Sequence, residues 1–200
     1  MDFKQEDLML YNLIQSIKRL NPKPATIHCV SGRTEFFQKL MQSDFEVVHL
    51  DVDKVVIESE RKLCSEAKHI CFDVENWDYN VIPKESVEVL VFARSLHHMQ
   101  NPGQAIQNTA QAITPHGVLL LSDFTQDQTG LWLMRQQVAF SSGCGFCGSE
   151  MWHHVGEDYE RLGNLGLIDR KAVRRFFQEA GYKNFRIYYG KKSYSLFWRK

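Results

Sequence analysis

The sequence predicts an α/β protein built on a mostly parallel sheet, and three observations support that fold class. Short β-rich segments alternate with helical patterns of about 10 to 14 residues, which is how strand–helix units appear in a sequence. Residues 118–122 are nearly all apolar, as expected for a strand covered on both faces. The chain has 200 residues, of which 44% are hydrophobic, so it can bury the core of one domain.

The first part of the chain is predicted to form one helix followed by three strands. Residues 2–20 place apolar side chains at helical spacing, and Asn21-Pro22 ends that helix. The three strands are predicted at residues 25–30, 46–50 and 69–72.

Two helices connect these strands. Ser31-Gly32 turns the chain into the first of them, whose inward face is predicted to be Phe36, Phe37, Leu40 and Met41. Asp53 is suited to cap the second, which ends near Cys64. The buried face of that second helix is predicted to consist of Val55, Val56 and Leu63.

The second half continues the alternation and closes with a hairpin. Strands at 87–92 and 118–122 flank a helix that begins at Asn101-Pro102, since Asn can cap a helix and Pro fits its first position. A last helix opens at Asp169 and stops at Gly181. Two final strands, residues 185–189 and 194–198, are joined by the turn Gly190-Lys191-Lys192 and form an antiparallel hairpin. The predicted sheet has seven strands in the order 3-2-1-4-5-7-6, with helices on both faces.

The regular alternation breaks between Thr125 and Gly166. This stretch is too long for an ordinary connection, and insertions of this length usually cover a site or contact a substrate. We therefore expect one domain over residues 1–200, with residues 125–166 as an insertion that covers the site and residues 1–22 as a helical lid.

Composition excludes several classes of protein. The 24 Lys and Arg residues balance 24 Asp and Glu residues, so no broad basic face for nucleic acid is expected. No apolar stretch approaches the roughly 18 residues of a membrane span, and residues 1–7 lack the pattern of a secretory signal. Five cysteines without dense spacing are not typical of a disulfide framework, which favours the cytoplasm, and Cys29, Cys64 and Cys71 are predicted to be small core residues.

Acidic residues follow two consecutive predicted strands, where open α/β sheets bind their ligands. Asp51 comes 19 residues after Gly32, and an acid at this distance is the expected acceptor for the two hydroxyls of a ribose. Asp73 follows the third strand and is placed to accept from an adenine amino group. Either acid alone could instead cap a helix or lie in a solvated loop.

Several segments together resemble the class I S-adenosylmethionine-dependent methyltransferases, a Rossmann-like family. The similarity covers about residues 25–124 and 169–199. The segments that carry it are the strand 87–92, Leu96-His97-His98-Met99, Ala105-Ile106, the stretch from Pro115 through Gly117 to Asp123, and residues 176–182. The resemblance implies methyl transfer from S-adenosylmethionine to a small-molecule acceptor.

The loop after the first predicted strand departs from the family pattern, which is rich in glycine. The family has an acid and three glycines there, whereas this chain has His28, Val30, Gly32 and Thr34. Glycine lets the backbone approach a ligand closely, and a branched Val30 side chain is expected to lie towards the methionine part of the cofactor. This loop is consistent with three outcomes. The protein could bind the cofactor weakly, bind a different ligand, or keep the fold without methyl transfer.

The resemblance implies specific roles for residues at the strand ends. The expected cofactor-binding residues are Val30, Ser31, Gly32, Asp51, Val52, Asp73, Val74, Ala93, Arg94 and, from the lid, Tyr11. His98 and His154 are the candidate catalytic residues, and Trp132, His153 and Tyr159 are the candidate substrate contacts. The same histidines and aromatic residues could also pack locally.

Two other patterns leave alternatives open. Cys144 and Cys147 with His153 and His154 have a metal-like composition, but adjacent histidines depart from the usual ligand spacing, so no metal is predicted. A protein that keeps the fold and binds a partner without catalysis is the main alternative to an enzyme. A dinucleotide oxidoreductase is disfavoured because Gly32 stands without a Gly-x-Gly-x-x-Gly loop and because a final hairpin is not expected of that fold.

Overall fold

The computed structural model describes residues 14–19, 25–31, 34–93, 95–124, 170–183, 185–189 and 193–199. Residues 14–19 are helical and are called α1. The other helices are α2 (Thr34–Met41), α3 (Lys54–Leu63), a single 3₁₀ turn (Leu96–His98), α4 (Pro102–Ala112) and α5 (Arg170–Glu179). The strands are β1 (Thr26–Val30), β2 (Glu46–Asp51), β3 (Lys68–Cys71), β4 (Val87–Ala93), β5 (Ile113–Phe124), β6 (Arg186–Tyr189) and β7 (Ser193–Arg199).

The strands form one sheet in the order β3-β2-β1-β4-β5-β7-β6. Five of them, β1 to β5, run parallel, and β7 pairs antiparallel with both β5 and β6. The predicted α/β fold with a parallel sheet is therefore confirmed. The turn at 190–192 that was predicted to join the last two strands lies outside the described residues.

Apolar side chains cover the sheet on both faces. On one face, α1 and α2 pack through Ile14, Ile17, Phe36, Phe37 and Leu40 against β1, β2, β4 and β5. On the other face, α4 and α5 pack through Ala105, Ile106, Val173 and Phe177. Burying one such large side chain stabilises the fold by about 1.5–3 kcal/mol, so these two layers hold the strand ends in register.

Two predicted helix starts are confirmed by their caps. The Asp53 carboxylate accepts from the backbone N–H of Val55 at 2.7 Å, which satisfies one of the free donors at the start of α3. The Asn101 side chain accepts from the N–H of Gln104 at 3.1 Å and does the same for α4. Gly181 ends α5 with a φ of 82°, a conformation that favours glycine.

The predicted inward face of α3 is wrong at two of its three residues, while the third, Val56, is half-buried. Val55 and Leu63 are 76% and 62% exposed, whereas Ile57 is buried. Because α3 crosses the edge of the sheet at β2 and β3, a narrow stripe of it meets the core. Cys71, predicted as a core residue, is also exposed, while Cys29 and Cys64 are buried.

The fifth strand is longer than the predicted strand at residues 118–122. β5 begins at Ile113, directly after α4, and not at residue 118. Its pairing with β4 shifts from Val87↔Ile113 to Val89↔Val118, so the Pro115-His116-Gly117 segment is an irregularity within the ladder. The local sequence shows the turn residues but not the partner strand that extends the pairing past them.

Within the described ranges, no helix combines the length and apolar composition that a membrane span requires. The lid predicted at 1–22 is described only at residues 14–19, and the insertion predicted at 125–166 lies outside the described part of the chain. Both assignments remain predictions.

Candidate functional site

The carboxyl ends of β1, β2 and β4 meet at one edge of the sheet. Val30, the last residue of β1, pairs with Leu50 of β2 on one side and with Phe92 of β4 on the other. The strand order reverses at β1, because β2 and β3 lie on one side of it and β4 and β5 on the other. Such a reversal opens a crevice beyond the strand ends, where ligands of open α/β sheets bind.

Asp51 is held in this crevice as a hydrogen-bond acceptor. It is the last residue of β2, and its Oδ1 accepts from the backbone N–H of Asp53 at 2.9 Å. Burial raises the pKa of the Asp51 carboxyl. Hydrogen bonds from the backbone N–H of Asp53 and from the hydroxyl of Ser31 lower this pKa, because they stabilise the charged carboxylate. The arrangement fixes the carboxylate with oxygen lone pairs to spare for the hydroxyls of a ligand.

Ser31 makes a tight turn directly after β1. Its φ is 59°, in the left-handed region that glycine adopts without strain. Its backbone N–H donates to the carbonyl oxygen of Leu50 at 2.8 Å, which ties the turn to β2. The chain therefore turns tightly after β1 on a residue that is not glycine.

Asp73 is half-buried after β3, and both of its oxygens have local donors. Oδ1 accepts from the N–H of Glu75 at 2.9 Å, and Oδ2 accepts from the side-chain amide of Asn76 at 2.8 Å. These two bonds cap a turn. Capping was the alternative to the predicted role of Asp73 as an acceptor for adenine. A carboxylate has about four acceptor positions, so the local bonds leave room for one more donor.

Sequence reasoning missed two residues that hold the Asp73 segment in place. The Glu75 carboxylate accepts from the backbone N–H groups of Asn101 and, at 3.3 Å, of Gln100. The Asn108 amide donates to the carbonyl oxygens of Val74 and Glu75, each at 3.0 Å. A polar Asn108 on the inward face of α4 was the available signal, but its partners lie more than 30 residues away in the chain.

The expected apolar cofactor contacts separate into buried and exposed groups. Val30, Val74 and Ala93 are at most 5% exposed and pack in the core. The expected position of the Val30 side chain beside the methionine part of a cofactor stays a prediction. Val52, directly after Asp51, is 67% exposed. Val52 is therefore the most exposed of these four side chains.

The end of β4 provides two polar side chains at the same edge. Ser95 is 4% exposed, and its buried hydroxyl has no hydrogen-bond partner among the described residues. His98 is exposed in the 3₁₀ turn, and its backbone N–H donates to the carbonyl oxygen of Ser95 at 3.1 Å. The structure thus places His98 just beyond the strand that borders the crevice.

Several predicted site residues lie outside the described part of the chain. They are Tyr11, Gly32, Arg94, Trp132, His153, His154 and Tyr159, together with Cys144 and Cys147. Their roles remain predictions.

Solved structures with this fold include methyltransferases of several kinds. The CurJ carbon methyltransferase superposes with a TM-score of 0.67 at 13% identity, over 94% of this chain and 51% of that one. The 1,6-didemethyltoxoflavin-N1-methyltransferase of Burkholderia thailandensis, with bound 1,6-didemethyltoxoflavin and S-adenosylhomocysteine, gives 0.63 at 11% identity, over 100% and 81%. The phosphoethanolamine N-methyltransferase 2 of Haemonchus contortus, in complex with S-adenosyl-L-methionine, gives 0.58 at 12% identity, over 89% and 38%.

These identities establish a shared fold and no more. The chain spans about half the length of the CurJ chain that it matches. No curated protein matches the sequence. The family model described as a methyltransferase domain matches residues 17–187, which is most of the chain. The match runs through every strand of the parallel sheet and through both acids of the crevice, so this chain belongs to the methyltransferase domain family.

Proposed function

We propose that this protein binds S-adenosylmethionine at the carboxyl edge of β1, β2 and β4 and transfers its methyl group to a small-molecule nucleophile. The observation that carries the proposal is Asp51, an oriented acceptor at the end of β2 beside the point where strand order reverses. A carboxylate there can accept from both vicinal hydroxyls of a ribose. Family membership supports the same cofactor.

The other contacts of the cofactor follow from the strand ends. Asp73 and Val74 would border the adenine on one side, and the exposed Val52 would cover it on the other. The segment from Val30 to Gly32 and the segment Ala93-Arg94 would flank the methionine part. Tyr11 in the lid would close over the bound cofactor. Each of these assignments is part of the proposal.

Methyl transfer requires mainly that the protein position the acceptor and the cofactor. When bound, the cofactor supplies a methyl group on a positively charged sulfur. The protein has to align the acceptor in line with that bond and exclude water. A base is needed only where the acceptor must lose a proton, and His98 at the end of β4, or His154, would provide it. Trp132, His153 and Tyr159 would contact the acceptor.

Calorimetric titration with S-adenosylmethionine and S-adenosylhomocysteine tests the proposal directly. Asp51→Ala should weaken binding about tenfold to a hundredfold, because a charged acceptor contributes roughly 1.5–3 kcal/mol to a buried hydrogen bond. Asp53→Asn is the matched control, since it removes an equal charge nearby while Asn still caps α3. Equal affinity in wild type and a folded Asp51→Ala would remove Asp51 from the site.

One observation favours the alternative of a binding protein without catalysis. His28 occupies the position of the acid in the family loop, and burial, together with the charge of Lys68, lowers its pKa to about 4. A neutral imidazole cannot replace a carboxylate as a charged acceptor. Wild type that binds neither form of the cofactor would favour this alternative. Formation of S-adenosylhomocysteine in the presence of a pool of small metabolites would exclude it.

A further inference from the structure

Two buried histidines lie directly beneath the candidate ribose acid. His49 of β2 is 0% exposed and His69 of β3 is 8% exposed, and the two are paired in the parallel ladder. Their Nδ1 atoms are 3.1 Å apart, and their rings are perpendicular. Phe37 of α2 covers His49, with ring centroids 4.8 Å apart. The pair is therefore enclosed, and each nitrogen needs a partner from the protein.

The hydrogen bonds of this pair determine which nitrogens carry protons. His69 Nε2 lies 2.7 Å from the carbonyl oxygen of Cys64, and a carbonyl can only accept, so His69 Nε2 donates. The Nδ1 of a neutral His69 then has a lone pair and accepts. His49 Nδ1 must donate to it, which leaves the lone pair of His49 on Nε2.

That unprotonated Nε2 faces Asp51. It has no hydrogen-bond partner in the described part of the chain, and Asp51 Oδ2 lies 3.9 Å away on the same face of β2. A nitrogen lone pair and a carboxylate repel each other at this distance. One proton placed between them converts the repulsion into a hydrogen bond.

We propose that His49 is a positioning residue for Asp51. The tautomer of His49 is set by His69 and presents an unprotonated nitrogen to Oδ2 of Asp51. This nitrogen keeps the Oδ2 charge available to the ribose and shares a single proton with the carboxylate. The inference rests on the proposed cofactor site. Its consequence is that uptake of one proton by the His49–Asp51 pair withdraws the acceptor from the ribose. Cofactor affinity is then constant above the midpoint of that proton uptake and falls about tenfold per pH unit below it.

The titratable and charged groups near His49 and Asp51 lie on several neighbouring elements. On β1, Cys29 faces His49, and burial raises the pKa of its thiol, so it stays neutral. On α3, the Arg61 guanidinium donates to the carbonyl oxygen of His69, and Glu60 accepts from Thr34. Asp53 lies on the solvent side of Asp51. Burial and the neighbouring His69 lower the pKa of His49 to about 4, which keeps its ring neutral at physiological pH.

Two substitutions separate this relay from simple packing. His49→Phe removes the lone pair, so protonated Asp51 loses its acceptor and the midpoint of the carboxyl moves to lower pH. His69→Phe removes the acceptor that holds the tautomer, so His49 can carry its proton on Nε2 and donate to Asp51. The midpoint should then move further still, although His69 does not touch Asp51.

Nuclear magnetic resonance on the protein without cofactor provides the test. Histidine ¹⁵N shifts at neutral pH should show His49 protonated on Nδ1 and His69 on Nε2. The Asp51 ¹³Cγ shift, assigned with Asp51→Asn, should titrate at least about half a pH unit lower in His49→Phe, a roughly threefold change in proton affinity, and lower again in His69→Phe. His28→Phe is the control, because His28 pairs with Val48 and lies on the opposite face of the sheet.

The possible results are distinct. A wild-type His49 that carries its proton on Nε2, or an Asp51 midpoint unmoved in both variants, overturns the inference. The ¹⁵N result needs no substitution and decides the tautomer even where a variant fails to fold. Shifted midpoints with no binding of S-adenosylhomocysteine at any pH support the relay and contradict the proposed function. Shifted midpoints with a parallel shift in the pH profile of binding support both.

Discussion

The backbone N–H of Ser31 donates to the carbonyl oxygen of Leu50 at 2.8 Å, one residue before Asp51. The same serine has a φ of 59°, and its hydroxyl donates to the Asp51 carboxylate. One residue thus makes the turn after β1 and orients the acid after β2. A glycine would make the turn more easily but could not supply the hydroxyl.

Replacing Ser31 by Gly and by Ala should separate these two roles. Both changes remove the hydroxyl and should raise the pKa of Asp51, because a donor to its charged form is lost. Ser31→Gly should be more stable than Ser31→Ala by about 1 kcal/mol, since Ala retains a Cβ in the left-handed region. Urea unfolding and the Asp51 ¹³Cγ titration measure the two effects.

Asp44 provides the control for the Ser31 pair. Its φ is 63°, and it follows α2, away from Asp51. Asp44→Gly and Asp44→Ala should differ in stability in the same direction and leave the Asp51 midpoint in place. Equal stability of Ser31→Gly and Ser31→Ala would show that the left-handed turn is not kept in solution.

Val30→Gly should lower the free energy of unfolding by about 2–4 kcal/mol. The side chain is 5% exposed and packs with Val48, Leu50 and Phe92, so its burial is lost and glycine adds entropy to the unfolded chain. Val52→Ala, at a residue 67% exposed, should change stability by less than about 0.5 kcal/mol. If the Val30 side chain lies towards the methionine part of the cofactor, the glycine variant should also bind S-adenosylmethionine more tightly, because the backbone can then approach the ligand. Unchanged affinity would show that Val30 does not limit binding.

Gly117→Ala should destabilise the protein by about 1–3 kcal/mol. A Cβ at this position would lie 2.5 Å from Ile113 Cγ2 and 2.9 Å from the carbonyl oxygen of Glu88, so the irregular part of the β4–β5 ladder would have to move. Gly103→Ala is the contrast, because its Cβ would meet the half-buried Phe176 ring at 3.2 Å and alanine favours the helix. Thermal melts in which both variants lose the same stability would contradict the steric explanation.

The hydroxyls of Thr109 and Tyr182 lie 2.7 Å apart and join α4 to the end of α5. Thr109 donates to the carbonyl oxygen of Ile106, so it accepts from Tyr182. Tyr182→Phe should cost about 0.5–1.5 kcal/mol, and Thr109→Val should cost more because it leaves the buried Tyr182 hydroxyl with a 3.5 Å contact to Ile106. A double-mutant cycle should give a combined loss smaller than the sum, and strict additivity would contradict the bond.

Stability should fall as the pH is lowered from about 6.5 to about 4. Burial lowers the pKa of His28 and His49 from 6.5 to about 4, so the unfolded chain binds more protons across this interval. The stabilisation is present above pH 6.5 and is lost towards pH 4, with a limiting slope of about 1.4 kcal/mol per pH unit for each of the two histidines. Urea midpoints against pH measure it.

Two substitutions test whether His49 causes this dependence of stability on pH. His49→Phe should reduce the slope, because one neutral buried imidazole is removed. His116→Gln, at an exposed residue, should leave the slope unchanged. A slope that is identical in wild type and His49→Phe would show that His49 does not contribute to acid destabilisation.

The order of the elements could be predicted because local patterns encode it. Alternating β-rich and helical segments, with caps at Asp53 and Asn101, determine where most strands and helices begin. Asp51 and Asp73 are candidate site residues because they come at the ends of consecutive predicted strands, and parallel strands bring their carboxyl ends to one edge. These inferences need neither a contact distance nor a side-chain orientation.

The tertiary structure decided everything that depends on distant partners. Whether Val55 or Ile57 of α3 faces inward depends on where the helix crosses the sheet edge, which amphipathic spacing alone leaves open. The bonds of Glu75 to Asn101, and of His49 to His69, join residues 20 or more positions apart. By itself the sequence determined the α/β fold with a parallel sheet and singled out two acids at its strand ends as candidates. Only chain folding decided how Ser31, His49 and His69 surround one of them, because desolvation and hydrogen bonding arise from neighbours that packing brings together.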